Sequence, residues 1–139
     1  MAKTAKETAL KILKEDFVGT MATIRDNKPR SRYMTFFNDD FTLYTVTSKE
    51  THKMDDLASN PHTHILLGYE GKGMGDAYLE IEGTVEESEE ETLKEKVFER
   101  AAKVLDKTTK LSDLVVLKIT PQQIRLLNKK GEEPQNIDF

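Results

Sequence analysis

Cysteine and tryptophan are both absent from the 139 residues. Without thiols there is no disulfide framework, no thiol nucleophile and no cysteine-rich zinc site, and a reducing compartment, the cytoplasm, is the expected location. Long apolar runs are missing too. The longest candidates are strand-sized pieces such as Ile65-Leu-Leu, far short of the ~20 residues that span a bilayer, so no membrane association is expected. Lysines scattered through the first fourteen residues break up any signal-peptide core. Excess positive charge is lacking as well: 21 Lys and Arg stand against 25 Asp and Glu, a net charge of −4. Counterion-driven binding to nucleic acid wants a basic face, so no nucleic-acid partner is expected. No Ser-His-Asp arrangement or HExxH motif is written locally. One domain over residues 1–139 is expected, large enough to bury about two thirds of its extended surface without staples.

What is present is mostly β pattern. Residues 4–15 carry Leu10, Ile12 and Leu13 among lysines and glutamates, a short amphipathic helix. Residues 17–24 are rich in β-branched and apolar side chains, and Asp26-Asn27 supplies a turn that tolerates positive φ. In residues 30–37 the alternation sends Arg30, Arg32, Met34 and Phe36 to one face and Ser31, Tyr33, Thr35 and Phe37 to the other. A third strand, residues 41–47, leads into a helix that Ser48 opens and Asn60-Pro61 stops. Residues 62–69 read as a fourth strand, 70–75 as a flexible glycine-rich loop and 76–85 as a fifth strand with a bend at Gly83. The acidic run from Glu86 is expected to open a helix reaching Leu105. Residues 114–120 form a last strong strand, and after Pro121 a shorter stretch at 123–127 is expected to continue it past an interruption. The tail, residues 129–139, is polar and loose, with an apolar end that could dock on another subunit. Strands in meander order with no β-α-β rhythm predict an α+β, mainly β, antiparallel barrel of about six strands.

The stretch from Tyr44 to Lys53 concentrates chemistry. Hydroxyls of Thr45, Thr47, Ser48 and Thr51, cations on Lys49 and Lys53, and the unpaired N–H groups of a helix start coincide there, as an anion such as phosphate requires. A solvated first turn, with Lys53 paired to Asp56, accounts for the same residues without a ligand. Arg30 and Arg32 are open to the same two readings. His62 and His64 share one strand face, but the sequence shows no third ligand beside them, so no metal is expected. Met21, Met34, Met54 and Met74 read as packing.

Taken in order, Gly19-Thr-Met-Ala-Thr, Pro29-Arg-Ser-Arg, Leu43-Tyr-Thr-Val-Thr-Ser with Lys53 and Asn60-Pro61, and Leu79-Glu-Ile-Glu-Gly83 resemble the pyridoxamine 5′-phosphate oxidase-like flavoproteins, within them the general stress protein branch. The resemblance covers residues 17 to about 127. It implies an FMN-binding split β-barrel, a homodimer, with FMN in a groove between subunits. Thr47, Thr51, His52 and Lys53 would then surround the flavin phosphate and Arg32 would approach its oxygens. Tyr33, Met34, Thr35 and Phe36 would offer backbone groups and apolar surface to the ring, with Val46 and Tyr78 as further contacts. The function it implies is an oxidoreductase passing electrons from a reduced nicotinamide to an unidentified small-molecule acceptor, with no catalytic side chain. A flavin-sequestering module without turnover, or the same barrel using deazaflavin or haem, are the alternatives. The C-terminal substrate-binding pattern of pyridoxamine phosphate oxidase itself does not stand out, and Leu126-Leu127 occupy a place where many members carry Tyr-Trp.

Overall fold

The computed structural model describes residues 4–15, 18–48, 52–101 and 114–139, with the side chains of residues 52–54 and 101 outside that description. Helix α1 (Ala5–Glu15) is followed by β1 (Val18–Arg25), β2 (Lys28–Asp39) and β3 (Thr42–Ser48). Helix α2 (His52–Ser59), β4 (His62–Leu67), β5 (Tyr78–Ser88), α3 (Glu91–Ala101), β6 (Leu114–Leu127) and β7 (Gln135–Asn136) complete the order. Six strands close into a ring, β1-β2-β3-β6-β5-β4 and back to β1, every pairing antiparallel, and β7 adds to β6. The expected mainly-β antiparallel barrel with flanking helices is therefore the architecture found.

Alternation along the strands fills the interior. Met21, Phe36, Leu43, Ile65, Leu67, Leu79, Ile81, Leu117, Ile119, Ile124 and Leu126 all turn inward and are almost fully buried. Ala9, Ile12 and Leu13 of α1 join the same core. That helix is N-capped by Thr4: the Glu7 amide donates to Thr4 Oγ1 at 3.1 Å, and the Thr4 hydroxyl donates to the Glu7 carboxylate. The turn between β1 and β2 is the expected one, with Asp26 and Asn27 at φ of 51° and 61°. Gly19 is required by contact, since a Cβ there would lie 2.4 Å from the Leu66 carbonyl oxygen. Helix α3 lies outside the ring, where Val97 packs with Phe37, Tyr44 and Val116. Burying a side chain such as Val97 contributes roughly 1.5–3 kcal/mol. No helix among the described residues is long and apolar enough to cross a membrane.

Four expectations are refined or corrected. First, β6 is one 14-residue strand that continues past the interruption at Pro121, as expected. Glu82 pairs with Gln123 and Gly83 with Pro121, leaving Gln122 as the extra residue of a bulge that absorbs the proline. A Cβ at Gly83 would lie 2.6 Å from the Thr120 carbonyl oxygen, so glycine is what lets β6 cross there. Second, residues 86–88 stay in β5, with Glu86 opposite Lys118, and α3 begins only at Glu91. The far end of the expected helix falls in residues 102–113, outside the described residues.

Third, the tail is not loose: the chain end folds onto its own barrel. Gln135 and Asn136 pair with Leu126 and Arg125, and the Ile137 amide donates to the Ile124 carbonyl at 2.9 Å. Ile137 is only 6% exposed, within the core, and the Phe139 ring stacks at 5.6 Å on Phe41. Fourth, the glycine-rich loop is tied down by Asp76, whose carboxylate accepts the amides of Glu70 and Lys72 at 2.8 Å.

Candidate functional site

Strand β2 turns Arg32 toward the barrel interior beside Met21, its cross-strand partner. There the guanidinium meets a buried carboxylate. Arg32 Nη2 donates to Thr23 Oγ1 at 3.0 Å, and Thr23 Oγ1 in turn donates to Asp56 Oδ2 at 3.2 Å. Arg32 Nη2 also lies 3.9 Å from Asp56 Oδ2, and Arg25 Nε lies 3.9 Å from Asp56 Oδ1. A longer bond of 3.4 Å joins Arg32 Nη1 to the Met21 carbonyl. The Asp56 side chain is 3% exposed and that of Arg32 26%. Burial lowers the Arg32 pKa from its ordinary value, the Asp56 carboxylate opposes that shift, and the neighbouring Arg30 adds to it. The group stays protonated throughout.

Two guanidinium groups thus share one carboxylate, and the cluster keeps an excess positive charge. Asp56 belongs to α2, about one turn from that helix's first residue, His52. Arg32 is in this way fastened to the helix that follows the Thr47-Ser48 end of β3. Asp56 has no local signature: one of two adjacent carboxylates, Asp55 and Asp56, it reads as surface until the barrel puts Thr23 and two arginines beside it.

The other sequence-predicted residues fall on different faces. Phe36 is 1% exposed, in the core, and Met34 packs half-buried against it. Thr47 turns inward and is buried. Thr35 is half-buried, and its carbonyl accepts the Thr45 hydroxyl at 2.7 Å. Val46 turns the other way and, like Leu93 and Phe98 of α3, packs against the cluster of Phe37, Tyr44, Val97 and Val116. Tyr33 is 80% exposed on the outer face. Tyr78 meets Tyr69 edge-on, with ring centroids 6.0 Å apart. His52 and Lys53 open α2, while their side chains and the whole of Thr51 lie outside the described residues.

Tyr33 and Tyr78 do come together around one groove. It has a volume of about 370 Å³ and is lined chiefly by Val18, Thr20, Tyr33, Leu66, Tyr69 and Tyr78. Val18, Leu66 and Tyr69 are all exposed, so a contiguous apolar and aromatic surface is left on this side of the barrel. Beside it runs a polar row that the sequence did not assemble. His64 Nε2 and Arg125 Nη2 both lie 3.0 Å from Glu80 Oε1. The hydrogen bond from His64 is the largest influence holding the Glu80 carboxyl below its ordinary pKa; burial opposes it and Arg125 reinforces it.

This barrel has relatives. General stress protein 26 of Bacillus subtilis (strain 168) is 41% identical over 134 residues, 96% of each chain. A crystal structure of a Listeria innocua protein provisionally described as a pyridoxamine 5′-phosphate oxidase is 37% identical, covering 91% of this chain and 100% of that one, with a TM-score of 0.82. The General Stress Protein 26 structure from Bacillus anthracis str. Sterne is 31% identical, covering 95% of this chain and 98% of that one, with a TM-score of 0.79. Residues 5–128 match the pyridoxamine 5′-phosphate oxidase family, and with the split barrel described above the chain belongs to that family, alongside the general stress protein 26 relatives.

Proposed function

We propose that the chain is a cytoplasmic, homodimeric FMN-binding flavoprotein that passes electrons from a reduced nicotinamide to a small-molecule acceptor, residues 1–139 forming one flavin-binding domain. The observation that carries this reading is the fastening of Arg32 to α2 through Thr23 and Asp56. A charge-assisted donor is thereby held next to a helix start, the chemistry a phosphate monoester asks for. Two arginines against one buried carboxylate leave charge to spare for a phosphate dianion, so the donor set fits the group.

On this reading Arg32, Thr47, Thr51 and Lys53 hold the phosphate, with His52 beside them. Tyr33 and Tyr78 cover the ring from the groove, Thr35 and Val46 contribute through their backbones, and Met34 and Phe36, turned into the core on the opposite face of β2, support that strand from within. A second copy of the chain would close the open side of that groove. Bound FMN supplies hydride and electron transfer from its own ring system, and the residues around it bind, orient and exclude water. None of them has to act as acid or base, so no catalytic residue is assigned.

The test is the visible spectrum of the purified protein with and without added FMN, with size-exclusion chromatography to determine the mass. A stoichiometric flavin band that bleaches with NADH or NADPH, in a dimer, is the expected result. A colourless protein that takes up no FMN overturns the reading. Bound flavin that stays oxidised replaces turnover with sequestration, and a haem or deazaflavin spectrum changes the cofactor.

A further inference from the structure

We propose that His64, Glu80 and Glu82 form a binding site for a divalent first-row transition-metal ion on the outer face of the barrel. Their ligand atoms all lie within 4.8 Å of one another. A tetrahedral ion with bonds of about 2.1 Å needs its ligand atoms roughly 3.4 Å apart, so the three groups need only small side-chain rotations to close on one. His64 Nε2 and Glu80 Oε1 stand 3.0 Å apart, joined by a hydrogen bond that the ion would replace.

The barrel is what brings them together. In the β4–β5 register His64 pairs with Glu82 and Leu66 with Glu80, which sets the imidazole beside two carboxylates that are two residues apart on the same face of β5. The sequence lacked a third ligand because it lies across a strand pair. Both strands are hydrogen-bonded on each side within the closed ring, β4 between β1 and β5 and β5 between β4 and β6. The Cα positions are therefore fixed before any ion arrives.

Glu82 has no hydrogen-bond or ion-pair partner among the described residues, and its carboxylate is exposed next to the His64 ring. Arg125 neutralises Glu80 and leaves the second carboxylate uncompensated. One nitrogen and two oxygens, with no sulfur, select zinc, cobalt, nickel or manganese in the divalent state over soft monovalent copper. Three protein ligands leave room for water to complete the shell. His62 lies on the same strand face but outside the cluster.

The proposal is independent of flavin binding, and its test uses the full-length protein with and without FMN. Calorimetric titration with zinc, and the visible spectrum with cobalt, are the two measurements. One saturable zinc ion per chain is expected. His64→Ala and Glu82→Gln should each weaken it by at least about tenfold while leaving the circular dichroism spectrum unchanged. His62→Ala should leave the affinity as it is, and retained FMN uptake in the His64 and Glu82 variants separates this site from the flavin site. No saturable binding, or an affinity lost as readily with His62→Ala as with His64→Ala, would overturn the assignment.

Discussion

Asp56→Asn keeps the shape of the side chain and its capacity to accept from Thr23, and removes only the charge that Arg32 and Arg25 face at 3.9 Å. At that distance each attraction amounts to roughly 4 kcal/mol at an effective dielectric constant of about 20. Most of it is offset by the cost of keeping Asp56 out of water, and both arginines are partly solvated. The expected net loss is about 1–3 kcal/mol, which in a chain of this size lowers Tm by several degrees. Arg32→Met should cost more than its lost bonds alone, because it leaves the buried carboxylate with only Arg25. The double variant should recover part of the sum, with a coupling of about 1 kcal/mol or more. Urea unfolding followed by far-UV circular dichroism measures all four proteins, since tryptophan fluorescence has no source here. Strictly additive losses would refute the idea that Asp56 and Arg32 act as one unit.

Lys53→Ala should weaken FMN binding by about 1–3 kcal/mol through loss of a charge-assisted bond, read by flavin titration; unchanged affinity returns Lys53 to a solvated helix turn. Ile137→Ala, at a side chain buried in the core, should destabilise the fold by about 2–5 kcal/mol in urea, and a negligible effect would refute the seating of the chain end. Gly83→Ala places a methyl group 2.6 Å from the Thr120 carbonyl oxygen and should cost about 1–3 kcal/mol, measured as a lower Tm. Glu80 has its folded pKa below the ordinary value of 4.5, so its contribution to stability is present above that pH and fades as pH falls through the lower folded value. Glu80→Gln should flatten the acid side of the Tm–pH curve, and an unchanged slope would count against the pairing with His64 and Arg125.

The strands most legible in the sequence were those whose signal is local. Residues 41–47 and 62–67 alternate or run apolar between turn residues, and Asp26-Asn27 marks its own hairpin. The inward face of Arg32, Met34 and Phe36 follows from the same two-residue period. Features that depend on a distant partner were illegible. Pro121 reads as an interruption, but the bulge that carries the strand past it appears only when Gly83 is placed opposite, and Glu86–Ser88 read as a helix start until Lys118 lies across from Glu86. Ile137 in a polar tail carries no mark of burial. Within the candidate site, the hydroxyl of Thr47 could be named from the pattern and Arg32 through the family resemblance, whereas Asp56 and the row of His64, Glu80 and Glu82 exist only through strand register and helix docking.

Ring closure makes the order of synthesis matter. Residues 43–48 of β3 find their second neighbour only in residues 114–119, and β5 gains its outer partner from the same strand. A nascent chain therefore emerges from the ribosome with two unprotected sheet edges until β6 has been made. Ribosome-stalled fragments ending before residue 114 should depend on chaperones or aggregate, and release of β6 should be the moment at which protease resistance appears.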